Sequence, residues 1–169
     1  MNLIRQGKHR QTWEQICADP ALQDLPYKIE TNVRGQLVMS PTHAWHGKLA
    51  YRLAQALEKK LPEGESSVEL AIRTSRGVKV ADAVWCTAER WERIKDTYAA
   101  PVAPEICVEV LSPANTAEEM AAKRALYFEV GAEEAWLCDR EGNLSFFDAD
   151  GPRESSKRVP SFPKSIERD

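Results

Sequence analysis

Residues 105–139 read EICVEVLSPANTAEEMAAKRALYFEVGAEEAWLCD: an apolar run, a Ser-Pro break, and a longer stretch ended by Gly131. In the apolar run Ile106, Val108 and Val110 alternate with Cys107, Glu109 and Leu111. So many apolar and β-branched residues predict a strand buried on both faces of a sheet. Glu109 is the anomaly in it. An ionised carboxylate is rarely buried alone, because desolvation costs several kcal/mol unless a cation, a proton or hydrogen-bond donors compensate.

The stretch after the break predicts a helix. Asn115 followed three residues later by Glu118 has the spacing of an N-cap with its capping-box partner. Ala117, Met120, Ala121, Leu126, Phe128 and Val130 supply helix-forming or core-facing residues, and Gly131 is placed as a C-cap. Lys123 lies four residues after Glu119 and four before Tyr127, so the three share one face. On spacing alone, Glu119 and Lys123 form a solvated pair worth about 0.3–0.5 kcal/mol.

A second carboxylate sits in similar company. RTSRGVKVADAVWC, residues 73–86, predicts a strand, a turn at Gly77 and a second strand carrying Asp82 between Val80 and Ala83-Val84. Asp82 reads either as a turn or bulge residue bonded to nearby backbone N–H groups, or as a neighbour of Glu109. The latter holds if their strands are adjacent, as about two-thirds of sequential strands are. Two carboxylates about 4 Å apart repel by roughly 4 kcal/mol at an effective dielectric of 20. Either one is protonated or a cation sits between them.

The remaining pattern frames these elements. Residues 12–18 predict a short helix, broken at Asp19-Pro20 and Leu25-Pro26, and residues 27–30 and 36–39 a hairpin turning near Arg34-Gly35. After Ser40-Pro41 a long helix carries Leu49, Leu53, Leu57 and Leu61 at every fourth position, one buried stripe. Residues 88–95 predict a short helix, and residues 135–138 and 144–147 two last strands. The order is mainly α-β-β-α-β-β, which favours an α/β or α+β arrangement.

With 169 residues, 43% hydrophobic and 29% charged, the chain suits one ordinary core and neither disorder nor a membrane span. We expect a single domain over residues 1–169 with short extensions at 1–26 and 150–169. No apolar run is long enough to cross a bilayer and the N-terminus lacks an apolar signal core, so a cytoplasmic protein is expected. Cys17, Cys86, Cys107 and Cys138 are widely spaced and read as reduced core residues. The net charge of −3 counts against strong unaided binding to duplex DNA. Basic residues near both ends, from Arg5 to Arg10 and from Arg153 to Arg168, read as solvated tails.

Asp82, then Glu109 on a hydrophobic strand, then a nearby Lys123 is the order found in the PD-(D/E)XK nuclease superfamily. More closely, KIETNVRGQLVMSPTHAWHG, GVKVADAVW, the run from Glu105 to Asp139 and SFFD resemble the Uma-type restriction-endonuclease-like family, over roughly residues 27–147. The resemblance implies a restriction-endonuclease-like mixed β-sheet flanked by helices. It implies a metal-dependent nuclease in which Asp82, Glu109 and the Val110 carbonyl hold Mg²⁺ or Mn²⁺ and Lys123 is catalytic. Nucleic acid, DNA in particular, is the implied partner, with a homodimer for cutting two strands. Ala81 stands where the family often has proline, and Leu111 where the simplest superfamily pattern keeps its lysine, so Lys123 would act from the helix. Glu30 and His46 resemble family positions, and with Glu119 they are candidate supporting residues. The rival expectation is a catalytically silent binding module on the same fold.

Overall fold

A computed structural model describes residues 3–5 and 11–168. In chain order the elements are β1 (Leu3–Arg5), α1 (Trp13–Ala18), β2 (Tyr27–Thr31), β3 (Leu37–Pro41), α2 (Ala44–Lys60), β4 (Gly64–Thr74), β5 (Gly77–Thr87), α3 (Ala88–Ile94), β6 (Ile106–Val110), α4 (Ala117–Glu129), β7 (Glu134–Cys138), β8 (Leu144–Asp148) and β9 (Gly151–Arg153). They form an antiparallel three-stranded sheet, β1-β3-β2, and a six-stranded mixed sheet, β4-β5-β6-β7-β8-β9. The parallel pair is β6–β7, and α4 supplies the crossover that such a pair needs.

The period of two in the strands and the four-residue stripe of α2 decide the layers. Leu49, Leu53 and Leu57 of α2 are fully buried against Ala83 and Trp85 of β5, Ile106, Val108 and Val110 of β6, and Trp136 of β7. The alternate residues Val84, Cys86 and Cys107 face the other way, against Ile94 of α3 and Tyr127 of α4. A third cluster joins Val78 and Val80 of β5 to Leu37 of the small sheet and to Trp13 and Ile16 of α1. The start of β5, a strand of the large sheet, therefore packs on the small sheet, while its later residues lie under α2.

The turn at Gly77 couples the two sheets. Gly77 has φ +98°, and a Cβ there would stand 2.5 Å from the Thr31 carbonyl oxygen at the end of β2. Beside it, the Val78 N–H donates to Thr31 Oγ1 at 2.8 Å. Both sterics and φ thus reserve the position for glycine.

Several expectations shift in detail. The α4 capping box is Thr116 with Glu119, one residue later than Asn115 with Glu118, because Asn115 Oδ1 already accepts from the Ser112 N–H at 2.8 Å. The short strands β1 and β9 are additional to the expected elements. Three of the C-terminal basic residues, Arg153, Lys157 and Arg158, do not belong to a solvated tail. Arg153 and Lys157 pair with Asp148 and Arg158 with Glu133, while Val159 and Phe162 enter the main core. Lys8 and Arg10 lie outside the described residues. The cysteines are free, with Cys86, Cys107 and Cys138 buried.

Candidate active site

The large sheet opens at Asp82. The β5–β6 ladder runs from Trp85↔Ile106 to Ala83↔Val108 and stops one pair short of Asp82 against Glu109. On the other side of β5, Val68↔Ala83 and Leu70↔Ala81 are paired, but the intervening Glu69–Asp82 pair is missing. Glu69 there has φ +52°, a left-handed conformation that costs an ordinary residue roughly 1–2 kcal/mol. Asp82 itself takes over one backbone donor, its Oδ2 accepting from the Val110 N–H at 2.7 Å. Asp82 and Glu109 are only 2% and 4% exposed.

Each carboxylate has its own set of partners. Glu109 Oε1 accepts from the Tyr127 hydroxyl at 2.6 Å, and Oε2 lies 3.0 Å from Lys123 Nζ. Lys123 Nζ also reaches Glu30 Oε1 at 2.7 Å and the Val80 carbonyl at 3.3 Å. Lys123 is therefore no surface partner of Glu119. Glu119 is spent on the helix cap, its Oε2 accepting from the Thr116 N–H at 3.2 Å. The i,i+3 cap and the i,i+4 pair compete for the same carboxylate, and the cap holds it.

His46, in the first turn of α2, stands behind the carboxylates. Its Nε2 is 2.9 Å from the Val110 carbonyl and 3.4 Å from Asp82 Oδ2. Both neighbours are acceptors, so Nε2 carries the hydrogen and donates. His43, three residues earlier, is the exposed N-cap residue of α2 and makes no side-chain cap bond.

The residue that spacing missed is Lys28 on β2. Its ammonium lies 2.8 Å from Asp82 Oδ1 and 3.5 Å from Glu109 Oε2, with its side chain 12% exposed. The repulsion anticipated between two close carboxylates is thus answered by a cation from the small sheet. Glu30, two positions on and on the same strand face, answers Lys123 from that sheet and holds the Val80 N–H at 2.8 Å. The alternation of YKIE does not distinguish Lys28 from the solvated positions of an edge hairpin. Only the packing of one sheet on the other buries it.

These contacts set the charge states. Burial works against ionising Asp82, but Lys28 and then His46 outweigh it and hold its pKa below the usual carboxylate value. Glu109 is pushed above its ordinary value by burial, in spite of Lys123 and Lys28. Burial likewise opposes the ionised form of Glu30, yet Lys123 and Lys28 lower its pKa. For His46, desolvation favours the neutral ring and Asp82 the charged one, with a net rise.

The group forms the floor of a cleft of about 600 Å³, lined by residues of β2, β5, β6, α4 and the Ser112–Asn115 turn. Arg76 and Lys79 add positive charge to its wall. Among the described residues, no three His, Cys, Asp or Glu side chains gather into a set that could hold a metal ion. Two carboxylates nevertheless suit Mg²⁺, which binds through one or two carboxylates and keeps several waters. The Lys28 ammonium marks a cation position touching both of them. The donors are oxygens throughout, so the residues fit a hard divalent cation better than a soft one.

The chain matches the model of a family described as "Uma2: Putative restriction endonuclease" over residues 13–160. Among solved structures it is similar to a "putative nuclease belonging to DUF820" from Anabaena variabilis ATCC 29413. The two share 13% identity across 94% of this chain and 95% of that one, with a TM-score of 0.71. That likeness concerns the fold. No curated protein matches the chain.

Proposed function

The chain belongs to the Uma2 family of restriction-endonuclease-like proteins, and from that premise we propose that its cleft hydrolyses phosphodiester bonds of nucleic acid, DNA in particular. The observation that supports this most is the meeting of Asp82 and Glu109 at one cation position, with Lys123 Nζ beside it, 3.0 Å from Glu109 Oε2. Asp82 and Glu109 would hold Mg²⁺ or Mn²⁺. The Val110 carbonyl would join them through the lone pair that His46 leaves free. When bound, the ion neutralises charge on the phosphate and lowers the pKa of a coordinated water.

The chain's own residues divide the rest of the work. Lys123, held between Glu30 and Glu109, donates N–H to the phosphoryl oxygen on which charge develops, a preorganised contact of the kind that lowers barriers most. Tyr127 fixes the Glu109 carboxylate by its 2.6 Å hydrogen bond. His46 keeps Asp82 and the Val110 carbonyl in register with each other. Cutting both strands of a duplex requires two such sites, so the working form for duplex cleavage is a homodimer.

One observation favours the second reading, a catalytically silent interaction module. Lys28 already bridges the two carboxylates, which would hold the site together with no metal at all. Nicking of a supercoiled plasmid with Mg²⁺ or Mn²⁺ separates the two. The nuclease reading expects metal-dependent nicking, lost in Asp82→Asn and Lys123→Ala. A folded wild type that binds Mn²⁺ and nicks neither plasmid nor single-stranded DNA or RNA would favour the silent module.

A further inference from the structure

We propose that Lys28 is a built-in occupant of the cation position, which a divalent metal must displace before the site is loaded. The inference rests on the reading of Asp82 and Glu109 as metal ligands and adds a residue that this reading does not contain. Lys28 Nζ stands 2.8 Å from Asp82 Oδ1 and 3.5 Å from Glu109 Oε2. A divalent ion drawn to those same oxygens would meet the positive charge of the ammonium at close range and be repelled by it. Lysine and metal therefore compete for the two carboxylates.

The charges of the site make the competition consequential. Asp82, Glu109 and Glu30 bring three negative charges, and Lys28 and Lys123 bring two positive ones. The negative charges outnumber the positive by one with Lys28 in place and by two without it, so removing the lysine raises the attraction for a divalent ion. Lys123 cannot substitute, since it is tethered by Glu30 and the Val80 carbonyl.

Lys28 also has somewhere to go. It is carried by β2, in the other sheet from Asp82 and Glu109, on a flexible four-carbon stem that makes lysine a movable point charge. Besides the catalytic cleft, Lys28 lines a second cavity of about 430 Å³ that has Glu69 on its wall. Glu69 is the exposed residue held at φ +52° where the ladder beside Asp82 is interrupted. A displaced ammonium can exchange one carboxylate for another without leaving the protein.

The test is calorimetric titration of metal-free protein with Mn²⁺, at fixed pH and ionic strength, for wild type, Lys28→Met, Lys28→Gln, Lys28→Arg and Asp82→Asn. Lys28→Met is expected to bind Mn²⁺ at least ten-fold tighter than wild type, with a larger rise in Tm on adding the ion. Lys28→Gln keeps a hydrogen-bond donor without the charge and is expected to gain in the same direction, and it serves should the Met variant not fold. Lys28→Arg is expected to gain nothing. Equal or weaker binding in both neutral variants, with wild-type binding still lost in Asp82→Asn, would overturn the role of Lys28 and leave the metal-site reading standing. An absence of Mn²⁺ binding in every variant would overturn both. Binding in the neutral variants alone would support the displacement outright.

Discussion

At the scale of single residues, the site is a set of buried charges whose partners decide its stability. Lys123 contacts Glu30 and Glu109 at 2.7 and 3.0 Å with its side chain 11% exposed. Lys123→Ala leaves two enclosed carboxylates short of a partner and is expected to cost about 3 kcal/mol or more in urea unfolding. A loss below about 1 kcal/mol would return the lysine to the status of a surface pair. In cleavage assays the same variant is expected to lose about 10²-fold in turnover, as when a donor to transition-state charge is removed. Asp82→Asn carries a reversal of sign. Repulsion between two carboxylates alone argues for a more stable metal-free variant, but Lys28 already bridges that pair. Removing the Asp82 charge strands a buried ammonium, so Tm without metal is expected to fall, and a rise would show that Lys28 does not hold Asp82 in solution. Asp82, Glu109 and Lys123 were legible in the sequence because a carboxylate in an apolar strand breaks its pattern and the family motif orders the three. Lys28 breaks no pattern, since a charge beside Tyr27 and Ile29 is ordinary alternation until a second sheet covers it.

At the scale of elements, local rules and tertiary packing divide the account. The four-residue stripe of α2 and the two-faced apolar run of β6 followed directly from periodicity, and each is buried as expected. The α4 cap was ambiguous because Asn115–Glu118 and Thr116–Glu119 share one spacing, and the Ser112 turn, which engages Asn115, decides between them. Thr116→Ala is accordingly expected to cost about 1 kcal/mol, measured by thermal or urea unfolding, and no loss would mean that the capping box carries nothing. β1 and β9 are each three residues long, too short for a period of two to register. They exist because β3 and β8 offer them open edges. The interruption of the β4 ladder at Glu69 is likewise invisible to propensity. It lies opposite Asp82, next to the part of β5 whose Val78 and Val80 pack on the small sheet.

At the scale of the whole molecule, charge is arranged by position rather than by sum. The net charge is −3, and Arg153, Lys157 and Arg158 are engaged with Asp148 and Glu133, while Lys28, Arg76, Lys79 and Lys123 line the cleft. Any hold on nucleic acid would thus be concentrated at the site of chemistry, with few phosphate contacts and a shallow salt dependence. Among the described residues no helix is long and apolar enough to cross a membrane. The central claim is that the cleft floor is a seat for a divalent cation. Crystals soaked in Mn²⁺ and measured at a wavelength where manganese scatters anomalously test it most directly. The expected result is one strong peak within about 2.0–2.3 Å of oxygens from both Asp82 and Glu109, with the Lys28 ammonium withdrawn from Asp82 Oδ1. Fully loaded crystals with no peak there, and Lys28 still between the two carboxylates, would contradict it.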